Sequence, residues 1–286
     1  MAPESAPWRP SPIIVLSAAL HAVALLLTLW HRPWWPWMLA AVVADHLLLL
    51  AVGLTPRSAL LGPNWTRLPA ASRLRCQVAL TIDDGPDPAV TPQVLRILAE
   101  HGARATFFCI GARAERHPEL VRACVQAGHA VENHSFHHHY WFCLLGPRAL
   151  ARDIERAQGT LARITGIRPR FFRPPAGLRS PLLEPVLQRR GLRLASWTRR
   201  GLDTLSGDAE RVLARLTRHL GAGDILLLHD GHAARGRRGE PVVLEVLPRL
   251  LRLLHSQGLQ AVTLREWLPE TTHGARPLAG GTMADP

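Results

Sequence analysis

Two apolar runs at the start of the chain restrict the fold more than anything after them. Pro12 to Trp30 is broken only by serine and His21, and Trp34 to Leu54 only by Asp45 and His46. Each run is about twenty residues, enough to cross a bilayer as a helix. Tryptophans 8, 30, 34, 35 and 37 gather at the ends of the runs, as interfacial aromatics do, and Pro36 suits the first turn of a second helix. The pattern predicts a transmembrane hairpin over residues 1–55 and a bilayer as the first partner. A cleaved signal peptide is the competing reading, but two runs in succession and the lack of a well-placed basic n-region speak against it.

A hairpin returns the chain to the side on which it began. Arg57, Arg67, Arg73 and Arg75 follow the second run, whereas the connecting turn holds only Arg32, so the positive-inside rule predicts a multi-pass protein of a bacterial inner membrane with its main domain in the cytoplasm. Four cysteines, at 76, 109, 124 and 143, have neither metal-ligand spacing nor the density of a disulfide framework, which suits buried thiols in a reducing compartment. His21 and Asp45 each lie twelve residues from Pro33, so the two polar groups meet at one depth. The net charge of +12 comes entirely from arginine. No nucleic-acid module accompanies it, so nucleic acid is excluded as a partner and anionic lipid headgroups are favoured.

Beyond a basic linker at 56–75, residues 76–268 alternate between short apolar stretches and amphipathic ones. Thr91 to His101, Pro118 to Ala127, Ala149 to Ile164, Ala209 to Leu220 and Val242 to His255 have helical periodicity. Val78 to Ile82, Ala105 to Ile110, Leu192 to Trp197, Ile225 to Leu228 and Gln260 to Thr263 suit strands. Such alternation implies an α/β fold with parallel strands. The Gly-, Pro- and Thr-rich tail, 269–286, is expected to be disordered.

Chemistry concentrates in Thr81-Ile82-Asp83-Asp84-Gly85-Pro86, where a strand delivers two carboxylates to a Gly-Pro break. Side chains alternate along a strand, so the neighbours face different tasks, one free and one able to bind a metal. Fifty residues on, His134 and His138 stand four apart, a spacing at which one helical turn would aim both imidazoles at one point. Two imidazoles and a carboxylate leave an open position on zinc or a similar divalent ion such as Co2+, the pattern of a hydrolytic site.

Three later stretches, Arg170-Phe171-Phe172-Arg173-Pro174-Pro175-Ala176-Gly177, Trp197 with Asp203, and Leu226-Leu227-Leu228-His229-Asp230, complete a series that resembles the polysaccharide deacetylase family related to the nodulation deacetylase. The resemblance covers roughly Cys76 to Trp267. It implies a distorted (β/α)7 barrel, here preceded by two transmembrane helices. It also implies that Asp83 is the general base, His229 the general acid, Arg173 the residue orienting Asp83, and Asp203 the partner tuning His229. Asp84, His134 and His138 would hold the metal. Pro174, Pro175, Ala176 and Trp197 would contact substrate, with Leu226 and Leu228 beside the acetyl methyl group and a backbone N–H after the Arg-Pro-Pro turn as oxyanion donor.

The implied activity is removal of an N-acetyl or similar N-acyl group from an amino sugar in a polysaccharide or lipid-linked glycan. O-acetyl esterase action, removal of a formyl group and a non-catalytic glycan-binding role make similar demands on the sequence. Two departures concern the groove, since Ala176 replaces the family's usual aromatic residue and Thr204 a tryptophan. Arginines 179, 199, 200, 235, 237 and 238 follow the motifs and are expected to ring the mouth, suited to the phosphate of an anionic glycolipid. The sequence does not fix the oligomeric state.

Overall fold

A computed structural model describes residues 8–268; the tail expected to be disordered lies outside the described residues. Pro12–Trp30 (α1) and Trp35–Gly53 (α2) form an antiparallel pair joined by a tight turn at Arg32–Trp34, where Trp30 and Trp34 meet edge to face. Both helices are long and apolar enough to cross a membrane, and few of their residues are buried, with Leu16, Leu26, Leu29 and Leu47 exposed. As the spacing predicts, His21 and Asp45 meet: Nδ1 lies 3.9 Å from Oδ2, and Ser17 Oγ donates to the same oxygen at 2.6 Å.

After a short helix, Ala71–Leu74 (α3), the chain enters a parallel sheet of eight strands: Gln77–Asp83 (β1), Thr106–Cys109 (β2), Ala130–Asn133 (β3), Phe171–Phe172 (β4), Arg193–Leu194 (β5), Arg199–Arg200 (β6), Ile225–His229 (β7) and Gln260–Val262 (β8). Their order is β5-β4-β3-β2-β1-β7-β6, with β8 paired to the first half of β1 while β2 takes the second half. The helices between them are Thr91–Glu100 (α4), Gly111–Arg116 (α5), Pro118–Gln126 (α6), Pro147–Thr165 (α7), Leu183–Gln188 (α8), Ala209–Thr217 (α9) and Val242–Ser256 (α10). This is the distorted (β/α) barrel that the family resemblance implies, curled into a half-barrel of eight strands, of which β4, β5 and β6 are only two residues long. Such short strands leave too little periodicity to be seen in sequence.

The segment expected to be a linker is woven into the barrel. Trp65 bridges to Ala195 just after β5 and Arg67 to Asp224 just before β7, so residues 64–68 link the β5 edge of the sheet to the strand next to its other edge. The Arg67 guanidinium also meets the buried Asp224 carboxylate at 2.8 Å.

Alternation along the central strands separates two cores. Val78, Leu80 and Ile82 of β1 and Leu226 and Leu228 of β7 face outward into a layer shared with Val94, Leu98, Val212, Val246 and Leu250 of the helices. Ala79, Ile225 and Leu227 face inward with Phe108, Phe171, Trp197 and Leu68. The inward register ends on Asp83 and His229, which are directly paired across β1 and β7. A continuous apolar strand thus finishes on a polar residue at the open end of the barrel, where this architecture collects functional groups.

Candidate active site

Asp83, Asp84, His134, His138 and His229 converge on one cavity of about 280 Å³ at the carboxyl ends of the strands. Tyr140, Pro175, Ala176, Gly177, Trp197, Arg200, Thr204, Leu205, Leu227 and His232 complete its wall.

Arg173 is fully buried and each of its three nitrogens donates a hydrogen bond. Nη1 reaches Asp83 Oδ1 at 2.6 Å and Thr81 Oγ1 at 2.9 Å, Nε the carbonyl of Ala195, and Nη2 that of Ser196, while the guanidinium packs over the Phe108 ring. A buried charge tied at every corner fixes the rotamer of the carboxylate it holds. Its own carbonyl takes a 2.7 Å bond from His134 Nδ1, which leaves His134 Nε2 with a lone pair facing the cavity.

Asp84 projects from a left-handed backbone, φ 74°, so two adjacent carboxylates that a regular strand would send to opposite faces reach the same cavity. Its Oδ1 lies 3.2 Å from His134 Nε2 and 3.1 Å from His138 Nε2. Asp84 Oδ1 and His138 Nε2 are buried with no hydrogen-bond partner. Ligands of about 2.0–2.2 Å bond length arranged tetrahedrally lie roughly 3.3 Å apart, so this set of unpaired acceptors fits a divalent cation. Burial would raise the Asp84 carboxyl, but the imidazoles of His134, His138 and His232 packed against it hold it well below the usual carboxylate range.

The helical turn expected at His134–His138 is not formed. Ser135 and His138 have φ of 63° and 54°, and the backbone N–H groups there bond to side chains: Ser135 N to Asn133 Oδ1, Phe136 N to Asp153 Oδ1, and His138 N to Ser135 Oγ. These local acceptors outcompete the i−4 carbonyls, and a loop brings the two imidazoles together. His137 pairs through Nδ1 with Asp153 Oδ2 at 2.6 Å and so helps anchor that loop.

On the opposite wall, Asp203 is fully buried and accepts both from His229 Nδ1 at 2.8 Å and from its backbone N–H at 2.7 Å. Burial pulls the His229 imidazolium down, yet the Asp203 carboxylate, aided by Asp83 and Asp84, brings it above its ordinary value. The ring is therefore fixed in orientation and biased toward carrying a proton.

Two expected contacts are corrected. Leu226 and Leu228 point away from the cavity into the helical layer, and Leu227 lines it instead, because strand alternation that puts His229 inside must put its immediate neighbour outside. The expected ring of arginines reduces to Arg200. Arg179 bonds to the carbonyl of Ser58, Arg199 is held by Asp224 and the carbonyl of His219, and Arg235 turns to the carbonyl of Gly239. Pro175, Ala176 and Trp197 do line the cavity, whereas Pro174 stands behind it as the acceptor for the Gly177 N–H.

His232 and Asp230 are the polar residues that sequence reasoning missed. His232 Nδ1 sits 3.2 Å from Asp84 Oδ2, so the second oxygen is engaged and the first is left for the imidazoles; Arg113 braces His232 and the Asp84 carbonyl. Asp230 lies behind the Asp84-Gly85 turn, where a side chain on Gly85 would collide with its carboxylate, and it binds Thr91 Oγ1 at 2.5 Å. Burial pushes its carboxyl up to about 7. Their position just after His229 is the signal that could have marked them.

The curled parallel sheet, the Asp-Asp turn and the histidine pair define a carbohydrate-esterase type of hydrolase, and residues 72–195 match the polysaccharide deacetylase family. The chain belongs to that family. It is 34% identical over 193 residues to a peptidoglycan-N-acetylglucosamine deacetylase of Bacillus cereus, covering 67% of this chain and 87% of the relative. It is 39% identical over 155 residues to a chitooligosaccharide deacetylase of Azorhizobium caulinodans, 54% of this chain and 73% of the relative. Among solved structures, a family 4 carbohydrate esterase from Streptomyces lividans in complex with acetate superposes with a TM-score of 0.58 at 33% identity, over 65% of this chain and 91% of that one. The chain is thus a hydrolase of the deacetylase type, acting on glycans.

Proposed function

We propose that this protein is a metal-dependent N-deacetylase of amino sugars, held to a membrane by its N-terminal hairpin. The observation that carries the reading is the convergence of five groups in one cavity: an unpaired Asp84–His134–His138 set, Asp83 locked by Arg173, and His229 locked by Asp203. The names of the relatives support an N-acetylated glycan as substrate.

Asp84, His134 and His138 would hold the cation, most fittingly Zn2+ given two imidazoles and one carboxylate. When bound, the ion supplies Lewis acidity toward the amide carbonyl. Asp83, held in place by Arg173, takes the proton of the attacking water. His229 gives its proton to the departing nitrogen, and Asp203 stabilises the imidazolium until then. Ala176 supplies the backbone N–H for the developing oxyanion, since Pro175 has none and that of Gly177 is engaged. Leu227 and Trp197 shape the apolar space for the acyl group.

Exposed apolar helices of this length are not stable in water as a free pair, which supports insertion of residues 1–55 in a bilayer with the barrel, 76–268, on the side of the N-terminus. The arginines after the second span favour the cytoplasmic face. The function is tested by purified protein and N-acetylglucosamine oligosaccharides with and without chelator: released acetate that stops on chelation and returns with Zn2+ is expected, and undiminished release with the metal stripped would remove the mechanism. A reporter fused at Pro286 tests the sidedness.

A further inference from the structure

The wall of the cavity stands beside the end of the second span. The Gly53 carbonyl, in the last turn of α2, accepts from Arg179 N–H at 3.2 Å, and a Cβ on Gly53 would overlap the Arg179 carbonyl oxygen. Three residues on, Pro56 packs against Gly177 of the cavity wall and accepts from Ser196 Oγ at 2.9 Å, next to Trp197. Three residues of chain reach at most about 11 Å. With α2 in a bilayer, the cavity wall is therefore within about that distance of the hydrocarbon edge.

The rim has the composition such a position requires. Tyr140 and Leu205 line the cavity and are 84% and 79% exposed; Trp141 and Leu144, next along the chain from Tyr140, are also largely exposed. Aromatic and leucine side chains displayed around a mouth suit the interface between water and lipid. Deeper in, Arg200 lines the wall with its guanidinium over the Trp197 ring, and its Nε is buried with no hydrogen-bond partner among the described residues. One unpaired guanidinium inside a cavity that opens beside a membrane calls for an anion on a lipid.

We infer that the substrate is an N-acylated amino sugar joined through phosphate to a membrane lipid, drawn from the same bilayer as the hairpin, with Arg200 receiving the phosphate. This inference rests on the deacetylase reading. The reaction is unchanged: a C–O bond forms from water to the acyl carbon, the C–N bond breaks, the nitrogen takes a proton, and a carboxylate leaves while the amine stays on the lipid.

The full chain, reconstituted in phosphatidylethanolamine–phosphatidylglycerol vesicles, is given four substrates: N-acetylglucosamine linked to polyprenyl phosphate, the same sugar on an uncharged lipid, N-acetylglucosamine 1-phosphate in solution, and chitotetraose. The expected order has the phosphate lipid first, with kcat/KM roughly tenfold or more above the rest. Arg200→Gln should shrink the ratio between charged and uncharged lipid through KM, and Arg200→Lys should restore part of it. Equal rates on the two lipids, or soluble substrates turned over as well as the phosphate lipid, would overturn the inference and leave the deacetylase reading standing. No acetate from any of the four would bring down both.

Discussion

The hairpin and the barrel bury their leucines by opposite rules. In the barrel, Leu161 of α7 and Leu250 of α10 are wholly covered because one face of each helix rests on the sheet while the other is charged. In the hairpin, leucines surround both helices and remain exposed, as at Leu26 and Leu47, and little besides Ser17, Ala24, Val52 and Gly53 is covered by protein. The barrel carries its own apolar medium; the hairpin, on the membrane reading proposed above, borrows one. Arginine placed in the two settings therefore tests different solvents.

The largest effects belong to the barrel's chemistry and should leave the hairpin untouched. Asp83→Asn is expected to lower kcat by about 10²–10⁴ while metal content, read by elemental analysis, stays at the wild-type level. His138→Ala should remove the metal and the activity together with the chain still in the membrane fraction. Next in size, Leu161→Arg should unfold the barrel, seen as lost circular dichroism and proteolysis. Leu26→Arg should leave the barrel folded and shift the chain out of the bilayer, at a cost of about 2.5–3.5 kcal/mol in insertion. If both arginines had the same outcome, the distinction between the two regions would collapse.

A smaller effect follows from Asp203. His229, the proposed proton donor, has a raised folded pKa, so its imidazolium persists to higher pH than an ordinary histidine allows. Asp203→Asn removes the principal raising charge. The basic limb of the kcat profile should then move to lower pH, with a loss of roughly ten- to a hundredfold at neutral pH. The slightest change expected concerns His129, buried beneath β2 and lowered by burial and Arg104 to about 4. The unfolded chain takes up this proton near 6.5 and the folded one only near 4, so stability falls as pH drops through that window. A His129→Gln variant should have a flatter thermal midpoint between pH 6.5 and 4.

Sequence marked Asp83, Asp84 and His229 well because each sits at the end of an apolar strand or just past it, where a polar residue after a hydrophobic run is conspicuous. It carried the supports poorly. Asp153 and Asn133, which shape the histidine loop, lie on elements whose function shows only when the chain is folded back on itself. The inward face of β7 was legible in principle: once His229 is inside, alternation excludes Leu226 and Leu228 and selects Leu227. The lacing segment around Trp65 could not be read, since two isolated bridges have no period. Nor could the thinning of the arginine ring, because the acceptors that claim Arg179 and Arg199 are distant backbone carbonyls and a buried aspartate.

At Gly53 the second helix touches the barrel backbone to backbone. With no side chain to spare between the final turn of the anchor and the carbonyl of Arg179, the second helix cannot roll about its axis or slide in depth without dragging the stretch that ends the cavity wall. In the bilayer setting proposed above, this contact and the Ser196–Pro56 hydrogen bond would fix the height of the barrel over the lipid, like the stop on a plumb line.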